Sequence, residues 1–140
     1  MGIILCATRG GEASFRTQTA AIELAKERND ELAFLYVVDL NFLDKTAAPI
    51  VVDVENEISQ MGEFLLLVAK ERAVEQGVKA RTLSRKGSIR YEIIKAVLDI
   101  NATLVVLGRP AGEASAFEKS DLKTFAEKIQ LETGAEVKIV

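Results

Sequence analysis

The stretch Gly108-Arg109-Pro110-Ala111-Gly112 follows the apolar run Thr103 to Leu107 and leads to a helical pattern that carries Lys123 and Thr124. Glycines after a strand let backbone N–H groups approach a ligand, and a following helix adds its positive dipole end, a combination suited to a phosphate or another anion. Lys123 can supply an ammonium and Thr124 a hydroxyl, while Arg9 and Arg109 bring guanidinium groups to the same end of the chain's strands. Other residues oppose such a cradle. Pro110 has no N–H, and Glu113 and Glu118 put negative charge where a phosphate needs none. The spacing fits neither the P-loop, which places Gly-Lys-Ser/Thr after its glycines, nor Gly-x-Gly-x-x-Gly. The turn Thr8-Arg9-Gly10-Gly11 fails both patterns too, because its glycines are adjacent.

The chain's inventory excludes other chemistries. Its 140 residues contain no histidine, so imidazole metal sites and histidine-based triads cannot be built from it. Asp39, Asp44 and Asp53 are carboxylates that nothing in the sequence pins together, so no catalytic residue and no metal ligand is assigned. The single cysteine, Cys6, lies inside Ile3-Ile4-Leu5-Cys6-Ala7 and reads as a small core residue, which also excludes a disulfide within one chain and suits a reducing cytoplasm. Eighteen basic against twenty-one acidic residues give a net charge of -3, which disfavours nonspecific nucleic-acid binding. No apolar stretch approaches the about 20 residues that cross a bilayer, so a soluble, cytoplasmic protein without membrane insertion is expected.

The elements that must position these residues follow from periodicity. Gly2 to Ala7 and Leu32 to Val38 are apolar runs suited to strands buried on both faces, and Thr103 to Leu107 is another. Ser14 is read as an N-cap for a helix with Phe15, Ala21, Ile22, Leu24 and Ala25 on one side. Val54, Ile58, Met61, Leu65, Val68, Ala69 and Ala73 mark a long amphipathic helix over 53–76, with Gly77 at its left-handed C-cap. Val78 to Leu83 alternates as a strand near a sheet edge does. Ser88 is read as the cap of a helix carrying Ile89, Ile93, Ile94, Val97 and Leu98, with Glu92 near its start. A last helix, from about Asp121 to Glu132, leads through Gly134 to the strand Val137 to Val140. Residues 40–52 show no clear period, yet Ala47 to Val52 is too apolar for a solvated loop and is expected to cover the core edge or a partner.

Five strands alternating with four helices call for a parallel sheet, helices on both faces and right-handed crossovers, in one α/β domain over 1–140. Ligands then bind beyond the carboxyl ends of the strands, at Thr8 to Gly11, Val38 to Leu40, Ser84 to Gly87 and Gly108 onward.

Five segments, "IILCATRGGEAS", "AAIELAKERNDELAFLYVVD", "LLLVAKERAVEQGVKA", "GSIRYEIIKAVLDINATLVVLG" and "TFAEKI", resemble in that order those of the universal stress protein (UspA-like) family. The resemblance implies a Rossmann-like domain of the adenine nucleotide alpha hydrolase-like kind, usually a cytoplasmic homodimer in the stress response. Many members bind ATP through Gly-x-x-Gly, nine residues, Gly-Ser/Thr. Matched to that signature, Gly108 is the first glycine and Ala111 stands at the second, unless the loop shifts to Gly112. Lys123 replaces the third glycine, Thr124 keeps the hydroxyl position, and the loop is about two residues longer than the signature. Arg9 stands where nucleotide-binding members carry an aspartate, and Val37 matches the position that touches adenine.

The resemblance thus implies a regulatory domain, homodimeric, with adenine-nucleotide binding weakened or lost and function carried by a protein partner at residues 40–52 or the last strand. The alternative is a switch that binds ATP or AMP, with Mg for ATP, lined by Thr8, Arg9, Val37, Gly108, Arg109, Gly112, Lys123 and Thr124. A slow ATPase is a third possibility, for which the sequence offers no positioned base.

Overall fold

The structure, a computed structural model, describes residues 2–8, 11–38, 48–109 and 119–140, without the side chains of 11–13, 48–56, 119 and 120. Its elements run β1 (Ile3–Ala7), α1 (Gly11–Arg28), β2 (Glu31–Val38), α2 (Ala48–Glu75), β3 (Ala80–Lys86), α3 (Ile89–Ile100), β4 (Leu104–Leu107), α4 (Lys119–Thr133) and β5 (Glu136–Ile139). The strands form one parallel sheet in the order β3-β2-β1-β4-β5. The expected α/β architecture is therefore present.

Alternation along the strands divides the core. Ile4 and Cys6 of β1, with Leu32, Phe34, Tyr36 and Val38 of β2, meet Ala21, Ile22 and Ala25 of α1 and Leu66, Ala69 and Ala73 of α2. Leu5, Ala33, Leu35, Val105 and Leu107 point the other way, onto Ile93 and Val97 of α3 and Phe125 and Ile129 of α4. A strand with apolar neighbours on both sides has no place for polar residues, which is why β1, β2 and β4 read as unbroken apolar runs. β3 lies at one edge, where the alternation of its sequence belongs, and β5 lies at the other.

Several local expectations are corrected. Ser14 sits inside α1, which starts at Gly11, so it is not the helix's N-cap. Ser88 holds the N-cap position of α3 with extended backbone, but its side chain makes no capping hydrogen bond. Ala48 to Val52 open α2 rather than forming a loop; Pro49 is tolerated there because a helix's first N–H groups need no internal partner. The remainder of the segment, 39–47, with Asp39 and Asp44, lies outside the described residues. Most of the stripe assigned to the long helix packs on the core, Ile58, Leu65, Ala69 and Ala73 joining Gly62 and Leu66 on the sheet side, whereas Met61 and Val68 are exposed. Gly62 allows α2 to approach β2, since a Cβ there would press into the Tyr36 ring. Phe15, placed on the apolar side of α1, is exposed beneath a guanidinium.

The left-handed cap at Gly77 is present, with φ +78 and the Val78 N–H donating to the Ala73 carbonyl at 3.0 Å. Asn29 and Asn101 do the same work at φ 57 and 55, a conformation asparagine tolerates better than most residues.

Candidate functional site

From β1 the chain moves outward to β2 and β3; from β4 it moves the opposite way to β5. Strand order therefore reverses between β1 and β4, and a crevice opens beyond their carboxyl ends. Cys6 pairs with Val106. Two residues further along each strand stand Thr8 and Gly108, so two of the candidate residues flank the crevice.

Thr8 is 2% exposed. Its N–H donates to the Leu35 carbonyl at 2.8 Å, and its hydroxyl accepts from Gln18 Nε2 at 2.8 Å. The Gln18 carbonyl in turn accepts from Arg72 Nη1 at 2.7 Å, while Arg72 Nη2 donates to Thr19 Oγ1 at 2.5 Å and the guanidinium lies 3.5 Å from the Phe15 ring centroid. A guanidinium can only donate, so the amide oxygen of Gln18 must face Arg72 and its NH2 must face Thr8. The Thr8 hydroxyl is thereby an acceptor toward α1 and keeps its own proton for a second partner, which it does not find among the described residues. An oxygen acceptor in the crevice would complete it. Gln18 and Arg72 were not legible as site residues in the sequence; a buried glutamine ten residues after a buried threonine carries no pattern.

Gly108 has no left-handed backbone; its need is for space. A Cβ there would collide with Oγ1 of Thr17 and lie 3.4 Å from its Cβ, so the glycine lets α1 lie close against the end of β4. The Arg109 N–H donates to the Val140 carbonyl at 2.8 Å and extends the β4–β5 ladder, which removes it from any anion cradle. The Arg109 side chain is exposed. Val37 is half-buried on the side packed by α3 and α4 and lies two residues past Leu35, the partner of Ala7, hence beyond the end of β1.

Lys123 and Thr124 are exposed on α4. Because α4 begins at Lys119, they occupy its second turn, not its start, and the ordinary helical ladder uses their N–H groups. The first turn holds Asp121, whose charge repels the anion that a helix N-terminus attracts. Arg9 and Gly112 lie outside the described residues; of the six positions described, Thr8 and Gly108 flank the crevice, Val37 and Arg109 follow at the same strand ends, and Lys123 and Thr124 stand on the second turn of α4.

Two further acidic or nucleophilic groups sit near these elements. Glu92 is buried in the first turn of α3, and a Cβ on Gly87 would lie 3.2 Å from its Oε2. The Cys6 thiol is fully buried, and desolvation pushes its pKa up to about 12, against a smaller pull from the Arg72 charge. Such a thiol is not a nucleophile near neutral pH. Desolvation also draws the Arg72 guanidinium below its ordinary value. No cluster of three or more cysteine or acidic side chains that could hold a metal occurs among the described residues.

Known proteins supply the context. The profile of the universal stress protein family matches residues 1–129. Universal stress protein YxiE of Bacillus subtilis is 30% identical over 75% of this chain and 76% of its own. UspA of Lactobacillus plantarum has the same fold at a TM-score of 0.78, with 16% identity over 99% of this chain and 97% of its own. A universal stress protein family member from Arabidopsis thaliana with AMP bound superposes at 0.63, with 15% identity over 100% of this chain and 91% of its own. Likeness at such identities speaks for the fold, and the profile match and the Bacillus relative speak for descent: the chain belongs to the universal stress protein family.

Proposed function

We propose that this chain is a regulatory domain of the stress response over residues 1–140, cytoplasmic and homodimeric, with its adenine-nucleotide site weakened and its output carried by protein contacts rather than catalysis. The observation that carries the weakening is the position of α4: its start at Lys119 leaves Lys123 and Thr124 only side chains to offer, and Asp121 stands in the first turn. A phosphate held by one mobile ammonium and one hydroxyl loses the backbone donors that make a cradle. The homodimer is assigned to the free edge of β5, which another strand can extend.

A second reading rests on Thr8. Among the described residues its buried hydroxyl accepts from Gln18 and keeps its own proton for an acceptor oxygen at the switch point, and the Arabidopsis relative carries AMP. A switch that binds AMP, or ATP with Mg, would use that donor with Arg9, Val37, Gly108, Arg109, Gly112, Lys123 and Thr124.

Calorimetric titration of the purified protein with ATP and Mg, with AMP and with inorganic phosphate separates the two, with Lys123→Glu as control. Silence for all three from a folded dimer supports the weakened site. Saturable micromolar binding that Lys123→Glu abolishes would replace it with the switch.

A further inference from the structure

A surface helix normally turns polar residues to water. α2 departs from this between Met61 and Val74, where large apolar side chains also face water. Met61, Phe64, Leu67 and Val74 are each between 56% and 66% exposed and Val68 is 39% exposed. At about 100° per residue they share the side opposite Gly62, Leu66, Ala69 and Ala73, and they span about 20 Å of helix. The other exposed large apolar side chains, Phe15, Tyr91, Leu98 and Leu131, are scattered over three helices. A contiguous apolar stripe of this length marks an interaction surface.

Its charges choose the occupant. Glu57, Glu63, Glu71 and Glu75 are exposed within or beside the stripe, and none is in an ion pair among the described residues. Lys70 is the nearest exposed cation on the same helix segment. In heptad terms Leu67 and Val74 form one row with Gln60, and Phe64 shares the next with Glu57 and Glu71. A second copy of α2 in parallel would set Glu57 and Glu71 against their own equivalents. In antiparallel pairing they would meet Gln60, Leu67 or Val74. A second copy therefore brings only Lys70, which flanks these rows and can reach one glutamate of its partner, against four glutamates, and a buried carboxylate left without a cation is costly.

We propose that the exposed side of α2 docks a basic amphipathic helix of a partner protein, its apolar row on Phe64, Leu67 and Val68 and its Lys or Arg side chains on Glu57, Glu71 and Glu75. This deepens the contact-driven reading above, and its assay contains no nucleotide, so the crevice and the stripe fail or succeed separately.

The test is fluorescence anisotropy at about 0.15 M salt, using a labelled synthetic helix of about 18 residues with leucines on one side flanked by lysines, and a twin with glutamates for the lysines. Micromolar binding of the lysine peptide, at least tenfold tighter than its twin, is expected. Leu67→Asp should weaken it at least tenfold, Phe64→Ser should do likewise as an independent variant, and joint Glu71→Lys and Glu75→Lys should reverse the preference between peptides. Absence of binding, equal binding of both peptides, or indifference to Leu67→Asp and Phe64→Ser overturns the proposal. So does concentration-dependent self-association that Leu67→Asp abolishes, which would assign the stripe to a second copy.

Discussion

Changing Gly108 to alanine separates a packing glycine from a ligand-binding one. The added Cβ meets Thr17, whose Oγ1 blocks it directly and whose Cβ and Cγ2 lie 3.4 and 3.6 Å away. Rotating the Thr17 side chain only exchanges oxygen for methyl in the same crowded place, and Thr17 is 2% exposed, so α1 itself has to move. Overpacking of this kind costs about 2 kcal/mol, which for a chain of this length lowers Tm by roughly 6–10 °C. Thr17→Ala in the same background removes the obstruction, at its own cost for the lost hydroxyl. Thermal unfolding of the two single variants and the double variant should therefore give a favourable coupling of at least about 1 kcal/mol. A Gly108→Ala protein that melts within about 1 °C of the parent, or effects that simply add, would refute the packing account. Loss of nucleotide binding at unchanged Tm would show instead that the glycine admits a phosphate.

Other outcomes follow from the same core. Arg72→Leu strips Gln18 and Thr19 of their donor and should cost about 2–3 kcal/mol in urea unfolding, with Arg72→Lys recovering less than half because an ammonium cannot fork between α1's acceptors. Alkylation of Cys6 at pH 8 should proceed only as fast as the protein unfolds, which a stopped-time thiol assay reads directly. With the Cys6 pKa raised from 9.0 to about 12, the folded state holds the proton that the unfolded state has lost. Cys6 therefore supports folding fully below pH 9 and loses that contribution as pH rises toward about 12, by up to about 1.4 kcal/mol per unit, and Cys6→Ala should remove that slope from an alkaline stability profile. Gly77→Ala should cost about 1 kcal/mol from backbone strain alone, since φ is +78 and nothing lies within 4 Å, while Gly77→Asn should cost less.

The sheet and its helices were legible because burial on two faces leaves an unmistakable mark: Ile3 to Ala7, Leu32 to Val38 and Leu104 to Leu107 contain almost nothing polar. β3 was legible for the opposite reason, its alternation belonging to an edge. The buried face of α2 was legible in Ile58, Leu65, Ala69 and Ala73, but Met61 and Val68 are as apolar as Leu66, and periodicity cannot tell an apolar residue packed on a sheet from one left in water. Ser14 and Ser88 show that a residue type suited to capping does not fix where a helix starts. At the crevice, Thr8 and Gly108 were found from their place after strands, but the donors that orient Thr8 come from α1 and α2, joined by hydrogen bonds between residues 54 apart that no local pattern encodes. Lys123 reads in the sequence as a helix-start donor, but two additional helical residues, opening at Lys119, put it in the second turn and change what it can offer.

The position of β1 in the middle of the sheet also orders assembly. Its ladder to β2 joins Ile4 to Leu32, and β2 joins β3 through Leu32 and Ala80, whereas its other edge waits for Leu104. Loop closure is cheaper for the nearer pairs, so β1 to β3 with α1 and α2 can gather first. That half carries one covered face and one raw one, with Leu5, Ala33 and Leu35 open to water until α3 and α4 arrive. A nascent or partly folded chain is then adhesive on the side that the finished protein hides completely, and its vulnerability to aggregation lasts as long as β4 takes to dock.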